Sequence, residues 1–395
     1  METAQPTHSD TGSDTAPRVL ILGAGARGKE MVGAFSKLGV HVFVADSYGN
    51  SAAAQATPKS FAFDLCDAAT LKALVDKVDP TYVVPCSTGI NLAVLESFAA
   101  SSGCVVPSRK SLEFVFDRER TLTMASRELG VPTPRFQKVS SREELTLACE
   151  QLGFPVYVGP LSRISLLDAT PVASIDDAIA AWANFGAGEV LVERPVEADF
   201  EITLVAARSI DPHTGKLATW YCEPIGYRLS NGELAESWQP CALGAQALEN
   251  ARSLAARVAG AIGGRGVYAV ELSVSGDDVY FVGVTPFPHR TGVVTDATQR
   301  FNDCDLHARA ILGLPLDVTL ITPGAAAAIP RTEELKEVSY PAMVAALTHP
   351  ESDVRVFDPA NAKTHAPVGV GLVTAETVDE AREGAAAVAR AVVEA

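Results

Sequence analysis

Residues 268–295, YAVELSVSGDDVYFVGVTPFPHRTGVVT, restrict the fold of this 395-residue chain more than any other stretch. Residues 268–274 alternate apolar and polar side chains, the pattern of a half-buried strand. Gly276, Asp277 and Asp278 supply a turn, and 279–284 read as the return strand. Prolines and glycines then stiffen the loop that follows. Two adjacent strands can each offer a carboxylate to one hard cation such as Mg²⁺, which in turn bridges phosphate oxygens. Glu271 suits that role on the first strand. The return strand reads Phe281-Val282-Gly283-Val284 and offers no second acid.

The chain begins with a polar segment, 1–17, that contains no Lys or Arg and no apolar core. It fits neither a signal nor a transit peptide, and a disordered tail is expected. Residues 18–22 read as a buried strand. Gly23-Ala24-Gly25-Ala26-Arg27-Gly28 follows, then a helix over 29–38, then a strand over 40–45 that ends at Asp46. A G-x-G-x-x-G loop between strand and helix, with an acid about 20 residues on, is the pattern of a dinucleotide site. Glycines are equally required wherever a strand turns tightly into a helix packed on its own sheet. Strand and helix patterns keep alternating through residue 107, which predicts a parallel sheet with helices on both faces. Ligands of such sheets gather at the C-terminal strand ends, here 24–28 and 86–90. A nucleophilic role for Cys86 at one of these ends is weighed against a small packing residue, and packing is preferred.

Residues 117–129 predict a helix and 131–134 a linker. A second α/β unit follows, with a helix after Ser141 and one long strand over 219–229. Helix 247–262 leads into the opening hairpin, and 302–312 predict another helix. From about residue 320 the composition shifts to Ala, Pro and Val, and the chain closes with a helix over 378–393. The expected division is 1–17, 18–130, 131–319 and 320–395.

A net charge of −16 argues against an extended nucleic-acid footprint. No run approaches the roughly 20 apolar residues of a membrane helix. Seven cysteines without a C-x-x-C pair indicate neither a zinc site nor a disulfide framework, and a reducing cytoplasm is the natural compartment.

The phrases Phe200-Glu201-Ile202-Thr203, Glu236-Ser237-Trp238-Gln239-Pro240 and Pro288-His289, together with the hairpin, resemble the formate-dependent phosphoribosylglycinamide formyltransferases (the PurT type) of the ATP-grasp superfamily. The resemblance implies a three-domain ATP-grasp architecture. It combines an N-terminal Rossmann-like α/β domain with a small C-terminal β-rich domain, and the chain is expected to form a homodimer. It implies ATP and Mg²⁺ as cofactors, formate activated as formyl phosphate, and transfer to the amine of glycinamide ribonucleotide. It puts Arg118 beside phosphate or adenine, Glu193 and the backbone around Val196 on adenine, Glu201 on the ribose, and Glu271 on the metal. Gly25, Ala26, Cys86, His289 and Arg290 would line the substrate cleft, with His289 packing its loop rather than acting as a base.

Several charged devices of that family are replaced here. Gly159 stands where the resemblance implies a lysine. The phosphate loop, 161–168, contains Arg163 as its sole basic residue. Arg290 stands where an acid would meet the substrate amine, and Pro359, Ala366 and Pro367 stand where a basic clamp would hold its phosphate. The expectation is a divergent, catalytically impaired relative with weak or lost nucleotide binding. The alternatives are an active ligase or formyltransferase on another substrate, and a dinucleotide-binding oxidoreductase.

Overall fold

The computed structural model describes residues 16–395 except 24, 88, 102, 164–168, 231–232, 334 and 358–365, and the side chain of Ala26. Strands β1 (Arg18–Leu22), β2 (His41–Asp46), β3 (Ser60–Ala62), β4 (Tyr82–Pro85) and β5 (Cys104–Val105) form a parallel sheet in the order β3-β2-β1-β4-β5. In β1, Val19 and Ile21 join one apolar cluster, while Leu20 and Leu22 join another. Successive side chains leave a strand on opposite faces, so a strand covered on both sides must be apolar throughout. The glycine loop is shaped by packing. Gly23 has φ +59, and a Cβ there would lie 2.6 Å from Ser87 Oγ. A Cβ on Gly28 would lie 2.6 Å from the backbone nitrogen of Ala53.

A second, antiparallel sheet takes the order β6-β9-β7-β8, from β6 (Arg135–Val139), β7 (Val156–Pro160), β8 (Thr170–Val172) and β9 (Val190–Arg194). Helices Arg142–Leu152 and Ile175–Asn184 bury their apolar stripes against one face of it. Ser141 and Ser174 cap them by accepting the backbone N–H groups of Glu144 and Asp177.

The remaining strands are β10 (Phe200–Ile210), β11 (Leu217–Tyr221), β12 (Ile225–Ser230), β13 (Glu233–Gln239), β14 (Gly266–Ser275), β15 (Asp278–Thr285), β16 (Gly324–Ile329), β17 (Ser352–Val356) and β18 (Gly369–Thr374). They form a nine-stranded sheet in the order β15-β14-β10-β12-β13-β16-β18-β17, with β11 also on β10. The long strand expected over 219–229 is two strands. Both pair with β10, through Ala206↔Tyr221 and Thr203↔Ile225, and the chain breaks between them at Pro224, which has no N–H to give a ladder. The expectation of a half-buried strand over 268–274 also needs correction, because β14 is buried on both faces. Tyr268, Val270, Leu272 and Val274 meet helix Ala245–Ile262, while Glu271 and Ser273 lie beneath the four-stranded sheet, each almost inaccessible. Helix 117–129 is α-helical over Arg118–Thr123 and a π-turn over Met124–Glu128. The C-terminal strands do not form a sheet of their own, because β16 hydrogen-bonds to β13.

Candidate functional site

The hairpin sets the frame. Glu271 on β14 pairs directly with Gly283 on β15, and a bulge follows at once, with Leu272 opposite Phe281. On its other side Glu271 pairs with Thr203 of β10. Thr291 Oγ donates to Thr203 Oγ at 2.9 Å, and His289 Nδ1 lies 3.1 Å from Thr291 Oγ. This chain of contacts docks the loop after β15, His289 included, onto the floor of the sheet. Arg290 turns its guanidinium to Glu233, 2.7 Å away. Among the described residues no cluster of three or more His, Cys, Asp or Glu could hold a metal ion. Glu271 thus faces a glycine across the hairpin, where the resemblance implies a second acid.

Between the four-stranded and nine-stranded sheets lies a cavity of about 450 Å³, within the range of small-ligand pockets. Val196 lines it from the connection between the sheets, Tyr157 from the lid, and Phe200, Glu201 and Ser273 from the floor. Glu201 accepts Ser273 Oγ at 2.9 Å on both oxygens. Burial pushes the Glu201 carboxyl up to about 7; the Ser273 hydrogen bond opposes the rise and the charge of Glu271 adds to it. A half-buried carboxyl with that hydroxyl beside it is suited to accept the two hydroxyls of a ribose.

Glu193, expected on adenine, has its carboxylate held by two arginines. Its Oε1 accepts Arg118 Nε at 3.1 Å and Oε2 accepts Arg118 Nη2 at 2.8 Å, a bidentate pair, and Arg163 Nη2 also bonds Oε1. Burial opposes the Glu193 charge, yet the two guanidiniums hold its carboxyl below the usual range. Arg118 is fully buried, and its backbone N–H donates to Leu161 O at 2.9 Å, which anchors the start of the phosphate loop. Residues 164–168 of that loop and Pro359 lie outside the described residues, while Ala366 and Pro367 are half-buried.

Gly25 is exposed at the glycine loop, and the Ala26 side chain lies outside the described set. Cys86 is half-buried and donates to Val84 O at 3.7 Å, and burial pushes its thiol up to about 12. Sequence reasoning missed Arg27, whose guanidinium leaves the glycine loop to bond Asp296 at 2.8 Å through both nitrogens, and also Asp303. It missed Arg382 as well. This residue of helix Val378–Glu394 bonds Glu236 at 2.6 Å, stacks 4.2 Å over Trp238 and reaches the cavity. No local signal marks either arginine, since each partner comes from a remote part of the chain.

A lid sheet over a large antiparallel sheet, with a carboxylate-lined cleft between them, is the arrangement of the ATP-grasp class, and a family model described as ATP-grasp domain matches residues 124–303. A second model, described as PurT, C-terminal, matches residues 324–392. A Corynebacterium efficiens protein named formate-dependent phosphoribosylglycinamide formyltransferase is 45% identical over 389 residues, 96% of each chain. A Burkholderia pseudomallei protein of the same name is 40% identical over 387 residues, again 96% of each. The solved structure of glycinamide-RNase-transformylase T from Mycobacterium tuberculosis matches with a TM-score of 0.79 and 34% identity, over 95% of this chain and 99% of that one. Carboxyaminoimidazole ribonucleotide synthase from Aspergillus clavatus, complexed with ATP, matches with a TM-score of 0.85 over 96% and 99% of the two chains, and at 21% identity it shares the fold. This chain belongs to the family of formate-dependent phosphoribosylglycinamide formyltransferases.

Proposed function

We propose that this protein is a nucleotide-binding member of the formyltransferase family in which phosphoryl transfer from ATP is impaired. The observation that carries the reading is Gly283 paired across from Glu271, which leaves the hairpin one carboxylate where the resemblance implies two to share a Mg²⁺ between them. The cavity, Glu201 with Ser273, and the connection at Val196 support retention of a nucleoside. Losing preorganised charge at a phosphoryl-transfer site lowers kcat by roughly 10² to 10³ for each group. ADP release dependent on both formate and glycinamide ribonucleotide is therefore expected at background, while adenosine and ADP bind. Gly283→Glu should create a Mg²⁺ site with Glu271, seen as a thermal midpoint that rises with Mg²⁺ in the variant and not in the parent. Robust turnover by the parent, abolished by Glu271→Ala, would overturn the reading.

The Arg290–Glu233 pair favours a second reading, an active ligase on another substrate. Glu233 offsets part of the Arg290 charge, yet the guanidinium donors still oppose an ammonium, so an acceptor with a carbonyl or anionic group fits better than an amine. ADP release with such an acceptor, reduced by Arg290→Asp, would distinguish this reading from the first. The dinucleotide alternative loses its support at the glycine loop. There the glycines answer to Ser87 and Ala53, and Arg27 is spent on Asp296.

A further inference from the structure

We propose that Arg228 and Arg382 form an anion subsite at the far end of the cavity, and that it takes a phosphate carried by the same ligand whose ribose lies on Glu201. The inference rests on reading the cavity as a nucleoside site. The ladder between β10 and β12 ends at Glu201↔Tyr227. Phe200 and Arg228, the next residues on the two strands, lie beyond it, and both line the cavity. Successive side chains leave a strand on opposite faces, while directly paired residues share one. Glu201, Tyr227 and Ser273 are paired in this way and share the lid face. Arg228 pairs with Glu236 and Gly226 with Trp238, and these four belong to the opposite face, which helix Val378–Glu394 covers through Arg382. Arg228, Trp238 and Arg382 nonetheless line the same cavity as Glu201. The cavity therefore passes the end of the ladder and reaches from one face of the sheet to the other.

The far end is preformed and positively charged. The indole of Trp238 lies over Gly226, where an added Cβ would collide with the ring, and the Arg382 guanidinium stacks 4.2 Å from the ring centre. That stacking holds the guanidinium in place before any ligand arrives. Glu236 Oε1 accepts both Arg382 Nη2 at 2.6 Å and Arg228 Nε at 3.0 Å. Burial opposes the Glu236 charge, yet Arg382 first and Arg228 second hold its carboxyl below the usual range. Two guanidiniums thus share one carboxylate. Nη1 of Arg382 and the Nη groups of Arg228 have no hydrogen-bond partner among the described residues. The other charges on the cavity wall are Glu201 and Asp199, which accepts the Gly276 N–H. A phosphate in the cavity is repelled by those acids and drawn to the arginines, whose planar forks match its oxygens and keep their protons. A ligand with its ribose hydroxyls on Glu201 would place its phosphate beyond the end of the ladder, on the arginines.

Calorimetry on the full chain with adenosine, adenosine 5′-monophosphate and adenosine 3′-monophosphate tests the proposal, since the two phosphates leave the ribose in different directions. At least one monophosphate should bind about tenfold or more tightly than adenosine. Arg382→Gln and Arg228→Gln should each remove most of that gain, while adenosine stays within about twofold and so reports a folded cavity. Glu236→Gln removes the competing carboxylate and should widen the gain. A cluster that only ties β13 to the last helix would instead leave the ratio of monophosphate to adenosine affinity unchanged in all three variants, and that result overturns the inference. It is overturned equally, with the nucleoside site left standing, if neither monophosphate binds more tightly than adenosine in the parent. If the parent binds none of the three ligands, the nucleoside reading and this inference fall together.

Discussion

Single residues show where a local pattern suffices and where it does not. The place of Glu201 on the cavity wall was legible, because its position just past a connection in a recognisable phrase marks the edge of a cleft. The burial of Glu201 was not legible, since the lid that covers it arrives from β7. The folded-state value near 7 lies above the ordinary 4.5, so the protonated form is favoured on folding. This contribution is fully present below pH 4.5 and is lost as pH rises through about 7. Glu201→Gln should therefore match the parent in acid and become more stable by on the order of 3 kcal/mol, as an upper bound, above neutrality. Thermal midpoints measured across that range check it, and a difference that does not vary with pH would refute it. The convergence of arginines 30 and 75 residues away on Glu193 was not legible, because strand position alone cannot reveal it.

Elements were legible where period and capping agree. Ser141, Ser174 and Thr377 each mark a helix start, and each side chain accepts the N–H three residues on. The broken strand at Pro224 and the alanine strand β16 were not legible. A proline at a strand junction and a run of small apolar residues both fit more than one structure, and only pairing with β10 or β13 decides. Ion pairs between elements differ by burial in the same way. Arg27 joins the glycine loop to Asp296 and Asp303 with side chains at most 5% exposed, whereas Lys37 meets Asp305 with its side chain 67% exposed. Arg27→Met takes the guanidinium from buried Asp303 and leaves Asp296 to Asn302 and the more distant Arg355, and it should cost about 3 kcal/mol, while Lys37→Met should cost less than about 1 kcal/mol. Chemical denaturation measures both, and equal small effects would show that the Arg27 cluster is hydrated.

At the scale of the whole molecule, the change in composition near residue 320 marks no break in the sheet. The Trp238↔Ala325 pairing makes the ladder continuous, and Arg382 ties the last helix to Glu236. Hydrogen exchange should find the amides of Trp238 and Ala326 protected to the same free energy, with those of β8 lower. Earlier release of β16 than of β13 would show that the C-terminal segment opens alone. The four-stranded unit is different, because it joins the rest through two connections, and both are pinned to the opening hairpin. Pro132 O accepts the Phe281 N–H at 2.8 Å; at the other connection Asp199 donates its N–H to Val274 O and accepts the Gly276 N–H, each at 2.8 Å. Two fixed points define an axis. A swing of the lid about that axis, the hairpin that carries Glu271, is checked in turn by a third tie, the buried Arg118–Glu193 pair with the Arg118 N–H on Leu161 O.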